Sequence, residues 1–375
     1  MSDQLQAAFA AIAEAIGEYP NEQLELIAVK CKALVAGYAA RYPNDHEYIP
    51  AEVEQLCTAN LSNPQTGRAS RTFRLAGKLD AVLLRGDSLV LMDHKTCSED
   101  ITDPAGTYWR HLTVEAQPSH YMLLKWFNGC KLDEAMWDVM RKPTTSPKQL
   151  KTKAEHALIV ANGTYCGVPV SRATRDWLQT NNRENLEMYG IRLGHDCTEV
   201  RPEWYFQRRT IPRLDSELLA HAGQVWDMGK LILDSRRLDR WPRHSGQCMA
   251  YRSPCAYLGI CSGMDTPDSE KWCRKKCVHG ELPDLDGDGR DTLTYSSLRT
   301  YETCPRKYFY RYELGLERID EGQRESLLFG SLWHTALESY WRFFMPAEEA
   351  IHGNCNPATA NSVVADAADQ TAVPF

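Results

Sequence analysis

Asp80, Asp93 and Lys95 fall within one stretch, "RLAGKLDAVLLRGDSLVLMDHKT" (residues 74–96), and are the residue types that bind cations and steady developing charge. Two apolar, strand-like runs flank Gly86-Asp87, a two-residue hairpin signal. If that turn sets the register, residue i faces residue 173 − i, so Asp80 lies opposite Asp93. Lys95, two residues beyond Asp93, shares its face. Carboxylates directly opposed across strands repel. A divalent cation removes that penalty, and oxygen ligands of this kind suit Mg²⁺ or Mn²⁺. A solvated face, with Lys95 neutralising one aspartate, is the other reading of the same residues. His94 should point to the opposite face and is not read as a base.

The second group is cysteine. Of 13 cysteines, Cys31, Cys57, Cys130 and Cys166 are scattered and read as small buried hydrophobes. Cys248, Cys255 and Cys261 are clustered in "CMAYRSPCAYLGIC" and read as a metal or iron–sulfur site. Cys273 and Cys277 beside His279 form a pair open to two readings, a small zinc site or incidental linker cysteines.

"GKLD", an apolar strand and "LMDHKT" together resemble the core of the PD-(D/E)XK nuclease superfamily, more narrowly its RecB-like branch. "QPSHY", Gln117 to Tyr121, is similar to that branch's Q-x-x-x-Y signature, with Pro118 expected at the first helical position and Gln117 at the cap. The resemblance implies a restriction-endonuclease-like α/β core, a mixed central sheet flanked by helices, plus a Cys-rich helical region stapled by iron–sulfur. It implies hydrolysis of DNA phosphodiesters, in an exonuclease-like manner, in repair, recombination or phage DNA processing. Asp80 and Asp93 would hold the cation with the backbone carbonyl of His94, and Lys95, Gln117 and Tyr121 would complete the catalytic set. The upstream acidic ligand falls on Glu54 in "AEVEQL", with Glu52 as the alternative.

A subgroup of such nucleases, AddB-like, carries a [4Fe–4S] cluster on one early cysteine and three late ones. Cys248, Cys255 and Cys261 resemble the late trio, although their x₆ and x₅ spacing departs from the commoner x₂ then x₅, which keeps zinc as an alternative. The early segment stands at the far end instead. "YSSLRTYETCPRKYFYRY" offers Cys304, and "LLFGSLWHTALESYW" offers His334 as a further cation ligand. Either the family segments occur in circularly permuted order within one chain, or a second molecule completes each site as a homodimer.

These residues need positioning elements. Residues 1–42 read as helical and 48–61 as a strand. "PSHYMLLKWF" reads as a helix, "EAMWDVM" as a strand and "DSELLAHAGQVWDMGKLILDSRRL" as a long helix. "RKPTTSPKQLKTK" holds Arg141, Lys142, Lys148, Lys151 and Lys153, either a phosphate-binding edge or a solvated loop. The organisation expected is a catalytic core with the cysteine cluster (1–278), a linker (279–292) containing the turn-rich "DLDGDGRD", the family-like segment (293–345) and a poorly ordered tail (346–375).

The chain has 375 residues and a net charge of −7, which argues against a general nucleic-acid coat and leaves room for a local basic groove. The first residues lack the positive region of a signal peptide, and no run approaches a membrane span. The expected setting is cytoplasmic, in a bacterium or encoded by a phage. No P-loop is found, so unwinding of DNA would fall to a helicase or recombination partner.

Overall fold

In a computed structural model, residues 2–17, 22–150, 153–250, 253–280, 282, 289–319 and 325–345 are described. Lys151, residues 281 and 283–288 of the 279–292 linker, and the 346–375 tail lie outside the described residues.

Two helices open the chain, α1 (Asp3–Gly17) and α2 (Glu22–Arg41). A meander follows: β1 (Tyr48–Ser62), β2 (Ala69–Arg85) and β3 (Ser88–Cys97). Helices α3 (Thr107–Val114) and α4 (Gln117–Phe127) lead to β4 (Glu134–Arg141). A small insertion holds α5 (Lys153–Asn162), β5 (Thr164–Tyr165), β6 (Val168–Pro169), α6 (Arg172–Thr180) and α7 (Leu186–His195). Then come α8 (Pro202–Tyr205), β7 (Phe206–Ile211) and the long α9 (Asp215–Leu238). The remainder is α10 (Leu258–Ser262), β8 (Trp272–Arg274), β9 (Asp291–Thr294), α11 (Tyr295–Thr303), α12 (Pro305–Tyr308), β10 (Leu316–Arg318) and α13 (Glu325–Arg342).

The hairpin has the register expected from its turn, from Arg85 opposite Ser88 to Ala81 opposite Met92. Gly86 takes φ +60 and Asp87 does not go positive, the pattern of a type II′ turn. The ladder ends at Ala81, one pair short of Asp80 and Asp93. Farther back, residues 73–76 of β2 pair in parallel with β9, while β1 occupies the other edge throughout. The central sheet is ordered β1-β2-β3-β4-β7, with β3 and β4 parallel and the other neighbours antiparallel. The chain is therefore α/β with a mixed central sheet flanked by helices, consistent with a restriction-endonuclease-like fold. The one edge of β2 serves both β3 and β9, and the residues between the two pairings end at Asp80.

Each face of the sheet is covered by apolar helix stripes. Leu75, Leu79, Leu91 and Trp137 pack with Leu218, Val225 and Ile232 of α9 and Leu298 of α11. On the other face, Leu83, Val90 and Met92 pack with Ile27 and Leu34 of α2 and with α13. In α13, Phe329, Leu332, Trp333, Ala336, Leu337, Tyr340 and Trp341 recur at three- and four-residue steps, which fixes the helix's rotation. Segment 293–345 is thus packed into both cores, not beside them. Cys31 and Cys57 are buried as expected, whereas Cys166 is exposed, because Cys166 and Gly167 both take positive φ in the β5–β6 turn.

His120 of α4 is fully buried, with the rings of Tyr121, His221 and Tyr295 around it. Burial first, and His221 second, push its pKa down from 6.5 to about 3. A group depressed this way is neutral in the fold but takes up a proton when unfolded below its ordinary pKa. Its contribution is complete above about pH 6.5 and falls away toward pH 3. The loss by pH 5 is about 2 kcal/mol. His120→Leu should flatten the urea midpoint between pH 7 and pH 5. An unchanged slope would remove His120 as the cause.

Candidate active site

Where β2 and β3 part, their acidic residues turn into a shared space. Asp80 Oδ2 accepts the backbone N–H of His94 at 2.7 Å, closing the fork in place of a ladder bond. Asp93 is buried and ion-paired with Lys95 Nζ at 2.6 Å. Burial, with Asp80 nearby, raises the Asp93 carboxyl to about 6 against the pull of Lys95. Burial disfavours the Lys95 ammonium, but Asp93 and Asp80 together hold its pKa above the ordinary value.

Glu54 enters from β1, opposite Asp80 in the register, between Val53–Ala81 and Gln55–Leu79. Its φ is +51, a left-handed conformation inside a strand that costs a non-glycine residue about 1–3 kcal/mol. Strain of that kind persists where the surrounding structure over-determines the backbone, in this case through the flanking β1–β2 pairs. Here Glu54 Oε2 is 2.5 Å from Lys78 Nζ, and Oε1 is 3.9 Å from His334 Nδ1. His334 Nδ1 is also 3.8 Å from Asp80 Oδ1. Burial alone would lower the His334 pKa, but Glu54 and Asp80 hold it above the usual value. One ligand atom each from Glu54, Asp80 and His334 lie within 4.8 Å of one another, the only such group among the described residues. Two carboxylates and an imidazole, with Asp93 beside them, fit a hard divalent cation. Glu52, the alternative acid, is turned away to Lys125 Nζ at 2.5 Å.

The helix residues fall into line behind Lys95. Lys95 Nζ donates to Gln117 Oε1 at 2.8 Å, and Gln117 Nε2 donates to Tyr121 Oη at 2.9 Å, one turn on. The cap is one residue earlier than expected: Ala116 caps α4, so Gln117 and not Pro118 is its first residue. Gly77 explains the glycine of "GKLD". A Cβ there would stand 2.7 Å from Tyr121 Cε1 and 3.0 Å from Leu124 Cδ1. Gly77→Ala must push a rigid ring and its helix off β2. The expected cost is about 1–3 kcal/mol, and the displaced Gln117–Lys95 bond should cut any hydrolysis by roughly tenfold to a hundredfold. Wild-type melting and turnover together would rule out this coupling.

His94 directs its ring onto Asp138 Oδ2 at 2.7 Å and is 3% exposed, its centroid 6.1 Å from that of the His334 ring. Asp138 also receives Tyr38 Oη (2.6 Å) and Arg208 Nε (3.1 Å), and Arg208 forks onto Asp45 (2.5 and 2.9 Å). Burial works against the Asp138 carboxylate, but Arg208 and His94 hold its pKa down to about 2. This buried network, and Lys78, were not read from the sequence. The available signals were Asp138 inside the apolar "AMWDVM" and the pair Arg208-Arg209 inside strand "FQRRTI".

Cys248, Cys255, Cys261 and Cys304 line one cavity of about 1010 Å³, rimmed by Arg243, Arg306 and Lys307 among others. No three of these sulfurs approach within 4.8 Å of one another. Cys273 and Cys277 are exposed and donate to the carbonyls of Glu317 and His279. Arg141 is occupied by Asp100 (3.2 Å) and the Trp204 ring (4.0 Å). Lys142 lies 5.6 Å from the Phe329 ring centroid, and Lys148 is half-buried beside Glu184. No described helix is long and apolar enough to cross a membrane.

No curated protein and no solved structure matches this chain. The family model of the PD-(D/E)XK nuclease superfamily matches residues 292–374, which include Cys304 and His334, and through that segment the chain is similar to a superfamily of nucleases.

Proposed function

We propose that the chain is a metal-dependent DNA nuclease of the RecB-like branch, exonuclease-like, acting in repair, recombination or phage DNA processing. The observation that carries the reading is the convergence of Glu54, Asp80 and His334, from β1, β2 and α13, beside the Asp93–Lys95 pair. Glu54, Asp80, Asp93, His334 and the carbonyl of His94 would hold Mg²⁺ or Mn²⁺. When bound, such an ion polarises a phosphate and lowers the pKa of a water. Lys95 is steadied by Gln117, itself bonded to Tyr121, so its ammonium is held where charge on the phosphorane can be met. The His94 imidazole is committed to Asp138 and takes no part in proton transfer.

The family segments are permuted, and one chain completes the site. In support, β9 pairs with β2, His334 is 3.8 Å from Asp80, and Cys304 shares the cavity of the cysteine trio. That cavity is assigned to a [4Fe–4S] cluster. Four thiolates at about 2.3 Å from one zinc stand only about 3.8 Å apart, whereas no three of these sulfurs come within 4.8 Å of one another, which favours a larger cluster. Anaerobically purified protein should be brown, with iron and sulfide; a colourless, zinc-loaded protein would reverse the assignment.

Incubation with linear duplex and single-stranded DNA plus Mn²⁺ tests the activity. Cleavage that stops on chelation is expected. DNA binding without cleavage would favour a non-catalytic scaffold that keeps the fold.

A further inference from the structure

Lys78 belongs to none of the catalytic roles above, yet its ammonium touches a cation ligand. Its Nζ lies 2.5 Å from Glu54 Oε2, while the other oxygen of that carboxylate faces His334. Lys78 is two residues before Asp80 on β2, so it shares the face of the site. We propose that Lys78 is a built-in rival of the divalent cation: it neutralises Glu54 in the cation-free protein and must give way when the ion binds. This rests on the cation reading of Glu54, Asp80 and His334.

Three features support a competitor and not a fixed strut. The Lys78 side chain is 38% exposed, so it can leave without being stranded in an apolar interior. A second acceptor is at hand, since Glu338 stands one turn beyond His334 on α13 and acts on Lys78 electrostatically. Glu338 is itself steadied by Arg342 at 3.0 Å, so it does not depend on Lys78 for a partner. The strained φ of Glu54 is independent of Lys78's charge, because the backbone is held by the flanking β1–β2 pairs. Removing the ammonium should leave Glu54 in place and its carboxylate more available.

The test is a titration with Mn²⁺ alone, without DNA, on the full chain, read by calorimetry or by the electron-spin signal of free Mn²⁺. Lys78→Met should bind Mn²⁺ about tenfold more tightly than wild type, because a positive charge a few ångströms from the ion has been removed. Lys78→Arg should stay near wild type. Lys78→Gln serves as the second neutral variant if the methionine compromises folding. Unchanged or weaker binding in the neutral variants would overturn the competitor role and make Lys78 a support for Glu54. Asp80→Asn separates the two levels. If wild type and Asp80→Asn bind Mn²⁺ equally, the cation reading itself fails; if only the Lys78 variants fail to tighten, that reading stands without the rival.

Discussion

Asp93→Asn and Lys95→Met are each expected to lower Mn²⁺-dependent DNA cleavage by about a thousandfold, with the fold intact. Losing one preorganised group aimed at developing charge costs roughly a hundredfold to a thousandfold, and these two groups act as a pair at 2.6 Å. Asp93→Asn keeps the shape while removing a carboxylate that opposes Asp80. The protein without metal should therefore melt within a few degrees of wild type. The gain in melting temperature on adding Mn²⁺ should shrink in Asp93→Asn, since a ligand stabilises only to the extent that it binds the native state. Lys95→Met should keep most of that gain, because Lys95 is not a ligand. Retained cleavage in both variants would overturn the roles assigned to them.

The largest loss of stability is expected at Arg208. This guanidinium faces Asp138, Asp45 and Tyr38 in a buried setting that joins β7, β4 and α2. Arg208→Met leaves two buried carboxylates without their cation, and breaking such a network costs about 3–5 kcal/mol. Urea unfolding should show that loss as a lower midpoint with an unchanged slope. Adding Asp45→Asn and Asp138→Asn to Arg208→Met should recover part of it, because the uncompensated charges go with them. A loss below about 1 kcal/mol in the single variant would mean that water already reaches the cluster. His94 links this network to the site, since its ring meets Asp138 and its backbone N–H meets Asp80.

The hairpin was the most legible part of the chain. Gly86-Asp87 and the flanking alternation set a register that the strands keep, and it placed Asp80 and Asp93 at the fork. The helix α9 coincides with the run read as a long helix because Leu218, Ala222, Val225, Gly229 and Ile232 recur at three- and four-residue steps and are buried. Less legible was anything requiring two distant segments. That β9 would extend the edge of β2 left by β3 depends on a four-residue strand, too short to signal its partner. Glu54 and Glu52 share a parity, and only the kink at φ +51 and the Lys125 partner of Glu52 separate them. In the cationic loop, Arg141 folds back onto Asp100 and Trp204, which its charge alone does not signal. Charge composition cannot tell a solvent-facing arginine from one engaged by an aromatic ring.

The central claim is that residues some 280 positions apart, Glu54 and His334, hold one divalent cation together with Asp80. Anomalous scattering from a crystal soaked in Mn²⁺ tests it most directly. The expected result is a peak bounded by the Glu54 and Asp80 carboxylates and the His334 imidazole of the same chain, with Asp93 alongside. Manganese bound elsewhere with none at this position, or a peak whose histidine comes from a neighbouring molecule, would contradict it.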